Sequence, residues 1–397
     1  MKILHVITAL NFGGAEAMLS KLISEHGGRA GFPEASVLSL QTPGTVGRQM
    51  IDSGVEVDTL HLHAARQLPA AMARLVRIVR RRDPDIVQGW MYHGNIVASV
   101  AAKLARGRPP LLWNIRHSLG DMSSEKWSSR KVIELGALLS SGPQATIYNS
   151  EAALRQHVAV GYDPAGALVI PNGFNDRHFQ PDVPEGRLRA GVRRQFGIDP
   201  SPTLVAVVAR HHPMKDHATA IEAVGRAREM GHDIHLLLAG SGTDALPARL
   251  TEACRRWLPE DRLTLLGDRR DVADWLPGCD VVALSSAWGE GFPNILGEAM
   301  ASGVPCIATD VGDSRAIIDD AGLCVPRGNP VAMAEAIAKL VEAGPAGRRR
   351  MGECGRTRVQ NEFSLPIVAR RYADLYDDLY RSSFRKPSEL EVSQCAG

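Results

Sequence analysis

The sequence predicts an α/β protein built from two doubly wound parallel-sheet domains in tandem. Three observations predict it. Short apolar runs alternate with helical patterns through the first 174 residues. A polar stretch containing Pro and Arg, Phe179 to Pro202, breaks that rhythm, and the alternation then restarts. Strands alternating with helices imply parallel pairing with helices on both faces of a sheet. At 397 residues the chain is long enough for two or three domains, each burying a core of its own.

In the first half ILHVIT reads as a buried strand, and NFGGAEAMLSKLISEH opens a helix after a glycine turn. ASVLSL and EVDTLHL read as strands, and LPAAMARLVRIVRRR as a helix stopped by Asp83-Pro84. DIVQGW is a strand followed by the helix NIVASVAAKLAR; PLLWNIR, QATIYNS and ALVIPNG complete the half. The second half reads TLVAVVA, helix ATAIEAVGRARE, HLLLAG, helix PARLTEACRRW, LTLLG, DVVALSS, helix ILGEAMAS, VPCIATD and LCVP. LPIVARRYADLYDDLY is a last helical pattern before a polar tail. Open α/β sheets bind ligands beyond the carboxyl ends of their strands, so functional residues are expected in the loops that follow strands in both halves.

The bulk composition narrows the function. A net charge of +2 gives a nucleic-acid role no support. The six cysteines (Cys254, Cys279, Cys306, Cys324, Cys354 and Cys395) form no CxxC pair, which suggests neither a disulfide framework nor a zinc site and fits a reducing, cytoplasmic setting. The opening MKILHVITAL is too short for a membrane span and lacks a small-residue cleavage site. Asp83-Pro84-Asp85 has the D-x-D form that can hold a divalent ion, but it sits at a helix stop before a strand, so no metal site is expected.

The most informative segment runs from Ser285 to Met300, SSAWGEGFPNILGEAM. A buried strand ends in a glycine-containing loop, and Pro293 suits the first turn of a helix. Backbone N–H groups near Asn294 and Ile295 make that helix start an anion site able to dock a diphosphate. Glu290 lies in the loop and Glu298 inside the helix. An isolated glutamate in either place is ordinarily a solvated charge. The whole stretch, Glu290-x7-Glu298 with Gly291-Phe292-Pro293 between, resembles the signature of the retaining glycosyltransferases of family 4. The preceding GDRRDVADWLPGCDVVALSS and the following GEAMASGVPCIATDVGDSRAII agree. The resemblance implies the GT-B fold, two Rossmann-like domains facing across a cleft. It also implies that Glu290 contacts the donor sugar and Glu298 the ribose.

Arg210 and Lys215, in VVARHHPMKD after the first strand of the second half, resemble the family's arginine and lysine clamp on the donor diphosphate, with Ala209 where glycine is usual. Such cations stabilise the charge of a departing diphosphate without a metal. The loop containing Gly267 and Arg269 resembles the family's base-contacting loop. Gly13 and Gly14 resemble its Gly-Gly-x-Glu loop, where backbone approaches donor phosphate or acceptor; the G-x-G-x-x-G spacing of a dinucleotide site is absent. Two strand-end clusters, Gln88–Asn95 and Asn114–Ser118, place His93 and His117 where either can bond donor or acceptor hydroxyls, and Arg116 where it can hold an anionic group. Asn149-Ser150 and Asn172-Gly173 end later strands.

From the resemblance follow domains at 1–174 and 175–364, a helix at 365–385 packing back on the first domain, and a flexible tail at 386–397. The expected reaction is transfer, with retention, from a UDP- or GDP-linked sugar to a glycan or lipid-linked saccharide acceptor, with no separate cofactor. Two alternatives are a sugar-nucleotide epimerase or hydrolase on the same fold, and a non-catalytic nucleotide-sugar binder. A nicotinamide dehydrogenase is disfavoured by the missing fingerprint. Arg74, Arg77 and Arg81 share a helix face that can meet an anionic membrane, which would place the protein peripherally on the inner face of the cell membrane. The plainer reading of that helix is a solvated outer layer.

Overall fold

Runs of three to six residues become the strands of two parallel sheets; most inner strands are buried along their length because helices cover both faces, and the edge strands are only partly buried. The computed structural model describes residues 1–384 apart from Phe12 and residues 28–31, 121, 123–124 and 183–185; the expected tail at 386–397 lies outside the described residues. The chain divides into two units: Met1–Gly173 with the segment from Leu365 onward, and Phe174–Ser364.

The first unit runs β1 (Lys2–Ile7), α1 (Gly14–His26), β2 (Glu34–Ser39), α2 (Gly44–Asp52), β3 (Glu56–Thr59), α3 (Leu68–Arg82), β4 (Ile86–Trp90), α4 (Met91–Leu104), β5 (Leu111–Ile115), α5 (Trp127–Leu139), β6 (Ala145–Tyr148), α6 (Glu151–Ala159) and β7 (Ala167–Val169). Its sheet has the order β3-β2-β1-β4-β5-β6-β7. The order reverses between β1 and β4; the glycine pair follows β1 and His93 lies in the first turn of the helix that follows β4 directly.

The second unit runs α7 (Arg187–Phe196), β8 (Thr203–Val208), α8 (His217–Glu229), β9 (Ile234–Ala239), α9 (Ala248–Trp257), β10 (Leu263–Leu265), α10 (Val272–Trp275), β11 (Val281–Leu284), α11 (Asn294–Ala301), β12 (Cys306–Thr309), α12 (Ser314–Ile318), β13 (Gly322–Val325), α13 (Pro330–Glu342) and α14 (Gly344–Arg358). Its sheet order, β10-β9-β8-β11-β12-β13, reverses between β8 and β11, in register at Val205–Val281 and Ala206–Val282. These are the strands that end in the Arg210–Lys215 loop and the Glu290 loop.

The last helix, α15 (Leu365–Phe384), belongs to the first unit. Leu365, Val368, Ala369, Tyr372 and Tyr376 pack with α1 and the sheet in one core cluster. The His26 ring bonds the Ala369 carbonyl (3.0 Å), and Tyr376 donates to Gln88 (2.5 Å). Helical spacing in LPIVARRYADLYDDLY thus delivers its tyrosines to one buried stripe.

The sequence reading names no helix at α2, α5, α6, α13 or α14, and two further places differ from it. The stretch between Phe179 and Pro202 contains α7, whose face toward the core includes Val192 and a buried Arg193. Arg193 pairs with Asp280 (2.6 Å), and that carboxylate also meets Arg189 and Arg348 (3.4 Å each). A helix anchored partly by a buried ion cluster carries little apolar periodicity. The second difference is α4, which starts at Met91 with no loop after β4. Met91 makes the whole turn in the left-handed region (φ 62°). Gly94 then lies so close to β1 that a Cβ there would fall 2.6 Å from the Val6 carbonyl oxygen.

Because backbone and not a flexible side chain meets that Cβ, Gly94→Ala is expected to destabilise the protein by about 1–3 kcal/mol, as overpacking of a closed core does; a urea midpoint measures it. Stability should also fall on acidification. Burial first of all lowers the pKa of His5 to about 3 and of His157 and His235 to about 4. The unfolded chain therefore binds protons that the folded one refuses between pH 6.5 and about 4, and folding free energy is lost as pH drops through that window. His157→Gln should flatten part of the slope in a melting-temperature series from pH 7 to pH 4.

Candidate active site

The end of β8 and the end of β11 are tied together before any side-chain chemistry is considered. After Val208 the chain turns through Pro213–Lys215, where the Met214 N–H donates to His212 Nδ1 (3.2 Å). Asp216, in the left-handed region (φ 43°), caps α8 by accepting the Thr219 hydroxyl (2.6 Å) and N–H (3.3 Å). From the β11 side, Ser285 Oγ donates to the Lys215 carbonyl (2.8 Å) and the Ala287 N–H to the Met214 carbonyl (2.8 Å). The two loops that sequence reading treats separately are one structure.

Within it the Lys215 ammonium donates to Glu290 Oε1, and the Ser286 hydroxyl donates to the same oxygen (2.5 Å). Glu290 is buried, at 6% exposed. The Ser286 carbonyl in turn accepts from Thr309 Oγ1 at the end of β12 (2.6 Å). Gly312 (φ 62°) lets its turn lie against the Glu290 carbonyl, where a Cβ would have no room, and the Asp313 N–H donates to the Gly291 carbonyl (3.1 Å). Glu290 is therefore positioned from three strand ends.

Arg210 is exposed on the same rim. The neighbouring His212 imidazole lies below its ordinary pKa, through desolvation first and then the positive charge of Arg210, His211 and Lys215. Beyond Glu290, α11 begins at Asn294 after Pro293, with no side chain capping it. A helix start leaves backbone N–H groups without intrahelical acceptors. Glu298, half-buried, is the fifth residue of α11.

Some residues in the sequence-derived set have other work. Phe292 packs its ring against Phe174 (5.9 Å) and Phe363 (5.4 Å), and Ile295 lies in the same core, so their side chains support the loop and only their backbone can face a ligand. Gly291 and Pro293 are buried, and Asn294 is half-buried. Gly267 (φ 67°) donates its N–H to Thr243 Oγ1 (3.1 Å) and accepts from the Gly240 N–H (2.7 Å), which holds the loop after β10 against the end of β9. Arg269 pairs with Asp271 and lies 5.7 Å from the centre of the Phe196 ring. Its guanidinium is thus committed locally.

In the first unit, Gly13 and Gly14 are exposed at the start of α1. His93 is exposed in the first turn of α4. His117, just beyond β5, has its Nε2 2.7 Å from Glu125 Oε1, and the Tyr92 ring meets it edge-on at 6.2 Å. Tyr92 also bonds His157 Nε2 (2.8 Å). The sequence reading missed Glu125, Ser286 and Ser285; no spacing rule points to them, because their relation to His117, Glu290 and Lys215 exists only after the strands align. Of the D-x-D pair, Asp83 ends α3 in the left-handed region and Asp85 accepts the Lys2 N–H (2.7 Å).

Residues 12–178 match the model of Glycosyltransferase Family 4, and residues 202–343 that of Glycosyl transferases group 1. The chain belongs to glycosyltransferase family 4. Among its relatives are the lipopolysaccharide core biosynthesis mannosyltransferase LpsB of Rhizobium meliloti, 25% identical over 70% of this chain and 82% of that protein. A GDP-mannose-dependent phosphatidylinositol monomannoside mannosyltransferase of Corynebacterium glutamicum is 23% identical over 91% of this chain and 94% of its own. In fold this glycosyltransferase is similar to Anabaena HepE, solved in complex with UDP, with a TM-score of 0.82 at 20% identity over 95% of this chain and 100% of that one. The fold is GT-B.

The Lys215–Glu290 pair predicts an asymmetry in stability. The Glu290 side chain is 8% exposed and that of Lys215 17%. Lys215→Met, which orphans the more buried charge, should cost about 3 kcal/mol. Glu290→Gln should cost less, because the ammonium can turn toward water. The double variant should recover part of the Lys215→Met loss in urea unfolding.

Proposed function

We propose that this glycosyltransferase takes a UDP- or GDP-linked sugar and transfers it, with retention of anomeric configuration, to a hydroxyl of a glycan or lipid-linked saccharide in cell-surface polysaccharide synthesis. The observation that carries the reading is the joined rim of β8 and β11, where Lys215, Ser286 and Glu290 meet beside the start of α11. In this reading the donor diphosphate lies against Arg210, Lys215 and the first N–H groups of α11. Glu290 accepts a hydroxyl of the donor sugar and Glu298 those of the ribose. As the glycosidic bond breaks, negative charge moves onto the diphosphate, and the two cations with the helix start stabilise it without a metal. The departing diphosphate oxygen takes the acceptor proton on the face it leaves, so no protein nucleophile is required. His93 and His117 orient hydroxyls, and the His117–Glu125 contact holds that ring in one orientation. Support comes from HepE, solved with UDP and with UDP-glucose, and from LpsB, named for lipopolysaccharide core biosynthesis.

Peripheral contact with an anionic membrane belongs to the same proposal, on a different helix from the one the sequence suggests. Arg74 donates to the Leu60 carbonyl (2.8 Å) and Arg81 pairs with Asp58, so α3 uses these arginines to hold its own sheet. In α5, Trp127 (69% exposed), Leu135 (43%) and Leu138 (81%) share a face with Lys131 at helical spacing. An exposed apolar face is what an interfacial helix buries in the lipid boundary, and Lys131, paired with Glu134 (2.7 Å), adds no net charge to it. Among the described residues no helix is long and apolar enough to cross a membrane.

A thermal-shift panel of UDP-, GDP- and ADP-sugars tests the donor. The cognate donor at 100 times its Kd should add about 2.7 kcal/mol of stability. Glu290→Gln should keep the fold and lower transfer by at least a hundredfold; full activity in that variant would remove its assigned role. Donor consumption without acceptor would favour the epimerase or hydrolase reading, and binding without turnover the non-catalytic one. Trp127→Ser with Leu138→Ser should weaken pelleting with vesicles rich in phosphatidylglycerol, and unchanged pelleting ends the α5 assignment.

A further inference from the structure

Arg116 stands one residue beyond β5, at the strand ends of the first unit. Its Nε donates to Asn172 Oδ1 (3.0 Å), its Nη1 to Asn114 Oδ1 (3.2 Å) and to the Tyr372 hydroxyl (2.9 Å), and its Nη2 to Asn172 Oδ1. The Trp90 ring lies 5.9 Å from the guanidinium carbon. Every partner is neutral. Among the described residues no carboxylate bonds Arg116, which is half-buried, and desolvation first of all lowers its pKa. Guanidinium has five N–H donors, and these partners use four, leaving one on Nη2.

A second polar group at the same rim also lacks a partner. Asn149 follows β6 and is 4% exposed, and its Oδ1 is enclosed with no hydrogen bond among the described residues. The register pairs Ile115 with Tyr148, and the Asn149 N–H donates to the Ile115 carbonyl (3.3 Å). Arg116 and Asn149 each follow directly on the last paired residues of these two strands. Residues paired across neighbouring strands project to the same face, and so do Arg116 and Asn114, two apart. Arg116, Asn114 and Asn149 share the face that carries Tyr372. A half-buried cation without a counter-charge and a buried amide oxygen without a partner are each costly, and both costs fall when a ligand supplies an oxyanion and a hydroxyl.

We propose that Arg116 and Asn149 form an acceptor subsite for a sugar bearing an oxyanion, phosphate or carboxylate, with Arg116 binding the oxyanion and Asn149 an adjacent hydroxyl. Asn114, Asn172 and Tyr372 aim the guanidinium and do not touch the ligand. This deepens the proposed function by naming the chemistry of the acceptor, and it rests on that reading only for calling the ligand an acceptor.

Calorimetric titration of the full chain with glucose 1-phosphate, glucuronate and glucose tests it. The wild type should bind at least one of the two anionic sugars at least tenfold more tightly than glucose, and which one it binds separates a phosphate from a carboxylate. Arg116→Gln should weaken that binding at least tenfold, and Arg116→Lys, which keeps charge without the fork, by less. Asn149→Asp places a carboxylate beside the guanidinium. It should raise the melting temperature while abolishing binding of the anionic sugar, a combination that a purely structural arginine would not produce. Equal binding of glucose and the anionic sugars, or wild-type affinity in Asn149→Asp, overturns the proposal. UDP titrated in parallel reports on the Lys215–Glu290 rim of the other unit. Lost UDP binding with intact anion selectivity would sink the donor assignment alone, and the reverse would sink the subsite alone.

Discussion

A buried carboxylate and a mostly buried ammonium, Glu290 and Lys215, meet at one oxygen that a serine hydroxyl also reaches. Removing two charges from water is expensive, and their attraction repays it only when the geometry is good and further hydrogen bonds satisfy what remains. Much of the second unit can be understood as providing that geometry. β8 delivers the lysine, Asp216 caps the helix behind it, β11 delivers Ser285 and Ser286, and Thr309 and Gly312 brace the loop from the β12 side. The pair is weak evidence for stability and strong evidence for a positioned charge.

The first unit presents a different electrostatic problem at its own strand ends. Its polar residues there are mostly neutral: Asn114, Asn149, Asn172 and Tyr372 surround one arginine, while the aromatic group of Tyr92, Tyr148, His157 and Tyr162 lies on the other side of the sheet. Burial keeps His157 neutral, so it serves as an acceptor for Tyr92 and not as a charge. One rim thus concentrates paired charge and the other leaves a cation uncompensated. A donor that leaves as an anion suits the first, and an acceptor that arrives as one suits the second.

The sequence reading found the architecture and most of the strands, because a parallel sheet covered on both faces needs continuous apolar runs and the crossovers between them need helical periodicity. It passed over α7, where Arg193 is buried on Asp280, since ionic anchoring leaves no apolar signature. It placed a loop where Met91 turns directly into α4, because a non-glycine residue in the left-handed region carries no local signal. Among the site residues, Glu290, Glu298, Arg210 and Lys215 stood out through the resemblance of their whole segments to the family's, at the ends of strands. Arg269 is named only through its loop's resemblance to the base-contacting loop, and its side chain is engaged by Asp271 and Phe196; Phe292 belongs to the core.

What the sequence determined by itself is therefore what local chemistry and period can encode: two parallel-sheet units, the loops that end their strands, and the residue types able to hold a diphosphate and sugar hydroxyls. Only the tertiary structure decided which of those groups meet. Lys215 reaches Glu290 across 75 residues of sequence and Tyr372 reaches Arg116 across 256. Such pairings depend on strand order and register, which no window along the chain contains. Whether a buried charge has a partner is a property of the fold, because solvent and distance are set only when the sheets assemble.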